Sequence, residues 1–132
     1  MPGKKADKDA DNLAAVLEKI PQMFGEEADT GLRLHDIIMD AAPKLKPRLW
    51  YGMPGYARGR STPVLVFIRR DDYLTFGLTE KANLHIDENA PGMMIPNAWF
   101  LTGLDAAIEA QIAEIVREAT AVVSKPPDRK RQ

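Results

Sequence analysis

The chain has no cysteine. That removes a disulfide framework, a thiolate metal site and a cysteine nucleophile together. Histidine is nearly as scarce, with two in 132 residues. His35 and His85 lie far apart in the sequence, and neither stands in a ligand spacing. Charge of one sign is lacking as well. Acids and bases nearly cancel to a net −1, which argues against a nucleic-acid binder driven by bulk charge. No apolar run approaches the roughly 18 residues of a membrane span. The first residues, Met-Pro-Gly-Lys-Lys-Ala-Asp-Lys-Asp, lack the apolar centre of a signal peptide. The expectation is a soluble, cytoplasmic protein that contacts neither nucleic acid nor membrane.

The hydrophobic fraction of 45% is that of an ordinary globular protein. A chain of 132 residues fits one domain and buries a core without disulfides or metal. Aromatics make up only 7% of it, yet Trp50, Tyr51 and Tyr56 crowd into residues 48–56, Arg-Leu-Trp-Tyr-Gly-Met-Pro-Gly-Tyr. Gly52 and Gly55 permit unusual backbone geometry there, and Pro54 pushes Met53 towards extended geometry. The segment reads as a strand that turns sharply while aiming rings at a core or a cleft. Trp50 is expected to be largely buried.

Taken in order, residues 1–10 read as a flexible tail, 11–123 as one domain and 124–132 as a flexible basic tail. A first helix is predicted from Asp11, with Leu13, Val16, Leu17 and Ile20 on one face and Pro21 ending or breaking it. A second is predicted over residues 25–42. Leu34, Ile37, Ile38 and Ala41 form its buried stripe, His35 its flank, and Asp29, Arg33, Asp36 and Asp40 the opposite stripe. Residues 64–68 and 73–78 predict an antiparallel hairpin turning at 69–72. Val64, Val66 and Ile68 should share one face, with Leu65 and Phe67 on the other. Residues 80–97 read as loop with a helical turn near 81–84, and residues 98–102 as a last strand. Asp105 caps a final helix with Ile108, Ile112, Ile115, Val116, Ala119 and Val123 on its apolar face. The fold class is α+β: an antiparallel sheet with helices packed on one face.

Four stretches carry a resemblance. They are Ala-Ala-Pro from Ala41, Arg-Leu-Trp-Tyr-Gly-Met-Pro-Gly-Tyr-Ala from Arg48, Leu-Thr-Phe-Gly-Leu from Leu74 and Ile-Pro-Asn-Ala-Trp-Phe from Ile95. Together they resemble the YdhG-like domains over residues 12–122, with Gly55 where that family more often has Ala. The resemblance implies a frataxin-like fold, and some members of the family are described as iron chaperones. On that basis iron is the expected ligand and an iron-accepting protein the expected partner. The carboxylates available for it are Glu26, Glu27, Asp29, Asp36 and Asp40, oxygen ligands that suit a hard cation. Glu26, Glu27 and Asp29 also suit a helix N-terminus, and Arg33 lies in ion-pair reach of Asp29 and Asp36.

Two further sites are open. Trp50, Tyr51, Met53, Tyr56 and Trp99, with the pair Met93 and Met94, are the candidates for an apolar ligand cleft or for plain core. His85, Asp87 and Glu88 suit a cation or a solvated loop. No catalytic constellation stands out. Ser61 and Ser124 have no activating neighbours, and no Gly-Lys-Ser/Thr follows Gly52 and Gly55. A non-enzymatic binding or chaperone-like domain is expected, with iron delivery as its specific form and a small-molecule or peptide binder as the alternative.

Overall fold

A computed structural model describes residues 4–84 and 94–121. Helix α1 (Lys4–Phe24) runs through a short 3-10 turn (Gly25–Glu27) into α2 (Ala28–Ala41). Five strands follow: β1 (Lys46–Trp50), β2 (Met53–Ala57), β3 (Val64–Arg70), β4 (Leu74–Leu78) and β5 (Ala98–Leu101). Helix α3 (Ala106–Thr120) closes the described chain. The strands form one sheet in the order β1-β2-β3-β4-β5, each neighbour antiparallel. The protein is α+β, as its alternation of patterns predicts. Among the described residues no helix is long and apolar enough to cross a membrane.

All three helices share one core with one face of the sheet. Val16, Ile20 and Phe24 of α1, Leu34, Ile37 and Ile38 of α2, and Ile112, Val116 and Ala119 of α3 meet Tyr56, Leu65, Val66, Ile68, Leu74, Phe76 and Leu78. Each large side chain so buried stabilises the fold by about 1.5–3 kcal/mol relative to exposure.

Helix α1 begins at Lys4 rather than Asp11 and passes through Pro21. Proline removes one hydrogen bond to the carbonyl four residues back, at Leu17. Pro21 and Leu17 both face outwards, where water can replace that bond. The helix ends three residues later at Phe24, before Gly25, whose φ of 56° is the left-handed geometry of a helix end. Leu13 and Leu17 are exposed, so the buried stripe is Val16, Ile20 and Phe24 rather than the predicted one. Gly31 lets α2 approach closely: a Cβ there would lie 2.8 Å from both Ile20 Cγ2 and Phe24 Cγ.

The residues at 48–56 form not one turning strand but the β1–β2 hairpin. Trp50 pairs with Met53, and Tyr51 and Gly52 make the two-residue turn at φ 53° and 79°. Two positive φ values suit the right-handed twist of a tight hairpin. In β3 the predicted alternation fails at its start. Tyr56 pairs with Val66 and Ala57 with Val64, so β3 carries one extra residue. This bulge turns Leu65 into the core beside Val66 and Ile68. Val64 instead touches the Gly55 side of the sheet. Residues 80–82 make a turn but no helix. Asp105 caps α3 as predicted, accepting from the Ile108 N–H at 2.8 Å.

A candidate ligand-binding face on the sheet

Alternation along the strands sends every second side chain away from the helices. The outward row through the sheet's centre runs Arg48, Gly55, Phe67, Gly77 and Ala98. The tip of the Phe67 ring covers Gly77, where a Cβ would stand 2.3 Å from its Cζ. Gly55 likewise has no room for a Cβ, which would meet Trp50 Cβ at 2.9 Å. Gly77 thus seats the Phe67 ring against the backbone, and Gly55 admits the root of the Trp50 side chain beside Val64. The next row carries Arg69, Thr75 and Phe100.

The rings form two groups. Trp50 contacts Phe67 with ring centroids 5.5 Å apart and meets Tyr51 edge-on at 4.9 Å. On the other side, Tyr73 and Phe100 stack at 4.6 Å with ring planes 12° apart. Their exposure is high: 86% for Tyr51, 64% for Phe100 and 52% for Tyr73. Tyr51 is held out by the left-handed geometry of its turn, a conformation that bulky residues rarely adopt.

The cleft predicted from sequence does not assemble. Trp50, Tyr51 and the half-buried Met53 belong to the outward face and its turn. Trp50 is half-buried rather than a core residue. Tyr56 is fully buried on the helix side, and Trp99 stacks on Phe76 there at 5.5 Å, beside Ile115 of α3. Met94 is exposed, while Met93, His85, Asp87 and Glu88 lie outside the described residues. Phe67, Tyr73 and Phe100 were missed. The signal for Phe67 was present in its alternation with Val66 and Ile68.

The carboxylates do not converge either. Glu26 and Glu27 sit on the exposed 3-10 turn, and Asp29, Asp36 and Asp40 on the exposed stripe of α2. Among the described residues no group of three or more His, Asp or Glu side chains is placed to hold a metal. Glu27 is taken by the Arg70 guanidinium, Nε to Oε1 at 2.5 Å. Arg33 does not bridge Asp29 and Asp36. It donates to both Glu109 oxygens of α3, at 3.1 and 2.7 Å. That hydrogen bond raises the Arg33 pKa and holds the Glu109 carboxyl below its ordinary value.

His35 is not a boundary residue. It is buried, and its Nδ1 lies 2.8 Å from the Tyr56 hydroxyl. Burial lowers the His35 pKa against a small opposing effect of Asp36, and burial raises that of Tyr56. The pair joins α2 to β2 and is closed to ligands.

A cavity of about 650 Å³ opens between the end of α2 and the last turn of α3, lined by Ala42, Leu45, Arg58, Arg117 and Thr120 among others. Arg58 donates to the carbonyls of Thr120 and Ala121 at 3.1 Å. It thereby satisfies a helix end, the ordinary task of a cation there. The sheet face differs, because nothing in the core requires its rings to be exposed. Comparison with protein-family models, curated proteins and solved structures returns no match for this chain.

Proposed function

We propose that this chain is a small non-catalytic binding domain whose recognition surface is the outward, aromatic face of its sheet. The observation that carries the reading is the exposure of Tyr51, Phe100 and Tyr73 beside Trp50 and Phe67 on one continuous face. Contiguous exposed apolar surface marks an interaction site more often than scattered residues do. Aromatic rings held by contacts with one another offer π surface to a flat ligand at little entropic cost. The iron-chaperone reading, which rests on the YdhG-like resemblance, has less support. Its five carboxylates are dispersed, and Glu27 already holds a guanidinium.

The test uses Trp50 as reporter. Trp99→Phe leaves Trp50 as the one tryptophan of the chain. Its emission should change saturably on titration with adenosine or N-acetyltyrosinamide, and Phe100→Ala should weaken that response. No saturable change, together with heat from iron(II) titrated into metal-free protein, would replace this reading with the iron one.

A further inference from the structure

The five strands carry Lys46, Arg48, Arg69 and Arg70 and no acidic residue. The net charge of −1 therefore hides a basic sheet whose compensating acids lie on helices and turns. Three of the four cations are engaged. Lys46 pairs with Asp9 of α1 at 3.2 Å. Arg48 donates to the carbonyls of Gly59, Arg60 and Thr62 and so pins the β2–β3 loop. Arg70 donates to Glu27 and to the Asp71 carbonyl. Among the described residues Arg69 has no hydrogen-bond or ion-pair partner, and its Nε is buried with no acceptor.

Arg69 follows Phe67 by two residues, so it lies on the same outward face. Its register neighbour Thr75 separates it from Phe100. Among the described residues this guanidinium is unpaired, and its charge sits between two ring groups, Trp50–Phe67 on one side and Phe100–Tyr73 on the other. Phe67 and Phe100 are two strands apart, roughly 10 Å at the usual strand spacing. Asp71 and Asp72 are exposed at the turn just beyond Arg69. They repel an anion at that end and favour a ligand lying across the strands rather than along them.

We propose that this face takes single-stranded nucleic acid, one base against each ring group and the intervening backbone phosphate on Arg69. The proposal rests on the reading of the face as a recognition surface. Ring, anion, ring is the repeating chemistry of such a strand, and stacking on aromatic side chains tolerates any base. A duplex cannot engage the face in this way, because its bases already stack on one another. Bulk charge misses such a site, since one phosphate contact needs one free cation.

The experiment measures anisotropy of a fluorescein-labelled eight-nucleotide oligo(dT) with the full chain. Arg69→Gln and Phe100→Ala are made at positions outside the core, with thermal unfolding confirming the fold. A blunt duplex and an abasic deoxyribose-phosphate octamer serve as controls. Binding should be weak and should fall with salt at a log–log slope of about −0.7, the value for one phosphate on a single strand. Arg69→Gln should flatten that slope. Phe100→Ala should weaken binding about tenfold at unchanged slope, within the range for loss of one stacked base. Equal binding of the duplex or the abasic octamer, or indifference to both substitutions, overturns the proposal. So does a Tyr-Glu-Tyr peptide binding as well as the oligonucleotide, which would make the partner an acidic peptide. If the octamer fails while adenosine still perturbs Trp50, the nucleic-acid proposal falls and the recognition face stands. If neither acts, both fall.

Discussion

The buried pair of His35 and Tyr56 gives a stability prediction whose sign and pH window both follow from the structure. The hydroxyl lies 2.8 Å from Nδ1, Tyr56 is fully buried and His35 nearly so. Tyr56→Phe keeps the ring and removes the oxygen, leaving a buried ring nitrogen without its partner. An orphaned buried polar group costs about 1–3 kcal/mol, and that is the expected loss near pH 8. Replacing both partners should cost less than the two single changes add to, because His35→Leu with Tyr56→Phe leaves no polar atom stranded. The pH dependence has a definite sign. Burial lowers the His35 pKa, so below about pH 6.5, the unperturbed histidine value, the unfolded chain takes up a proton that the folded one refuses. Stability from this group is therefore full above that pH and is lost as the pH falls through the folded value, by about 1.4 kcal/mol for each unit of depression. Urea denaturation of wild type and His35→Gln at intervals from pH 8 to pH 5 reads this directly. The difference between the two proteins cancels His85 and stays above the range where carboxylates titrate. A difference constant across that range would show that His35 is not buried in neutral form. Strict additivity in the double variant would show that the hydroxyl and the ring do not depend on each other.

Gly77→Ala should cost about 1–3 kcal/mol, as overpacking does, and should alter the near-UV circular dichroism of Trp50, because the new Cβ would lie 2.3 Å from Phe67 Cζ; an unchanged spectrum would mean that the ring does not rest there. Gly31→Ala should also destabilise, although alanine favours a helix by about 1 kcal/mol, since its Cβ would press on Ile20 and Phe24. A higher denaturation midpoint for that variant would contradict the close α1–α2 contact. Arg33→Gln should let the Glu109 carboxyl pKa rise towards its ordinary value, measured by NMR titration, because the guanidinium is the largest cause of its depression.

Much of the fold was legible because its signals are local. Leu34, Ile37 and Ile38 recur at helical spacing and are buried. Asp105 precedes its helix in the position where a carboxylate accepts a free N–H, and it does so. The failures have physical causes. Residues 4–10 looked like a charged tail, yet lysine and alanine are good helix formers, and the Asp9–Lys46 bond ties that segment to β1. The bulge at Leu65 inserts one residue, and a single insertion reverses every facing assignment on one side of it. His35 could not be placed from sequence, because the partner that makes its burial tolerable lies on another element. The cleft failed for a reason the sequence did contain. Tyr56 follows Met53 by three residues in one strand, so the two must face opposite ways, and Trp99 is separated from Phe100 in the same manner.

The outward face poses the question that the core does not. A two-layer domain with helices on one side of its sheet normally alternates apolar inward with polar outward. Here the outward positions hold Trp50, Phe67 and Phe100, with glycine at 55 and 77 and alanine at 98. Glycine weakens a strand, so Gly55 and Gly77 are a local cost at the centre of the sheet. What that cost makes possible is the close approach of Trp50 Cβ to Gly55 and of the Phe67 ring to Gly77. Burying part of those two rings recovers some stability. Far less is recovered at Phe100 and Tyr51, which stay largely in water. Arg69 adds the same imbalance in polar terms, because its Nε is desolvated without gaining an acceptor. Exposed rings are unfavourable for the isolated chain and are relieved by a ligand that brings flat rings, while the unpaired Arg69 charge beside them favours a ligand that also carries an anion. The coincidence of the two on a single face is the reason to place recognition there rather than on the acidic stripe of α2.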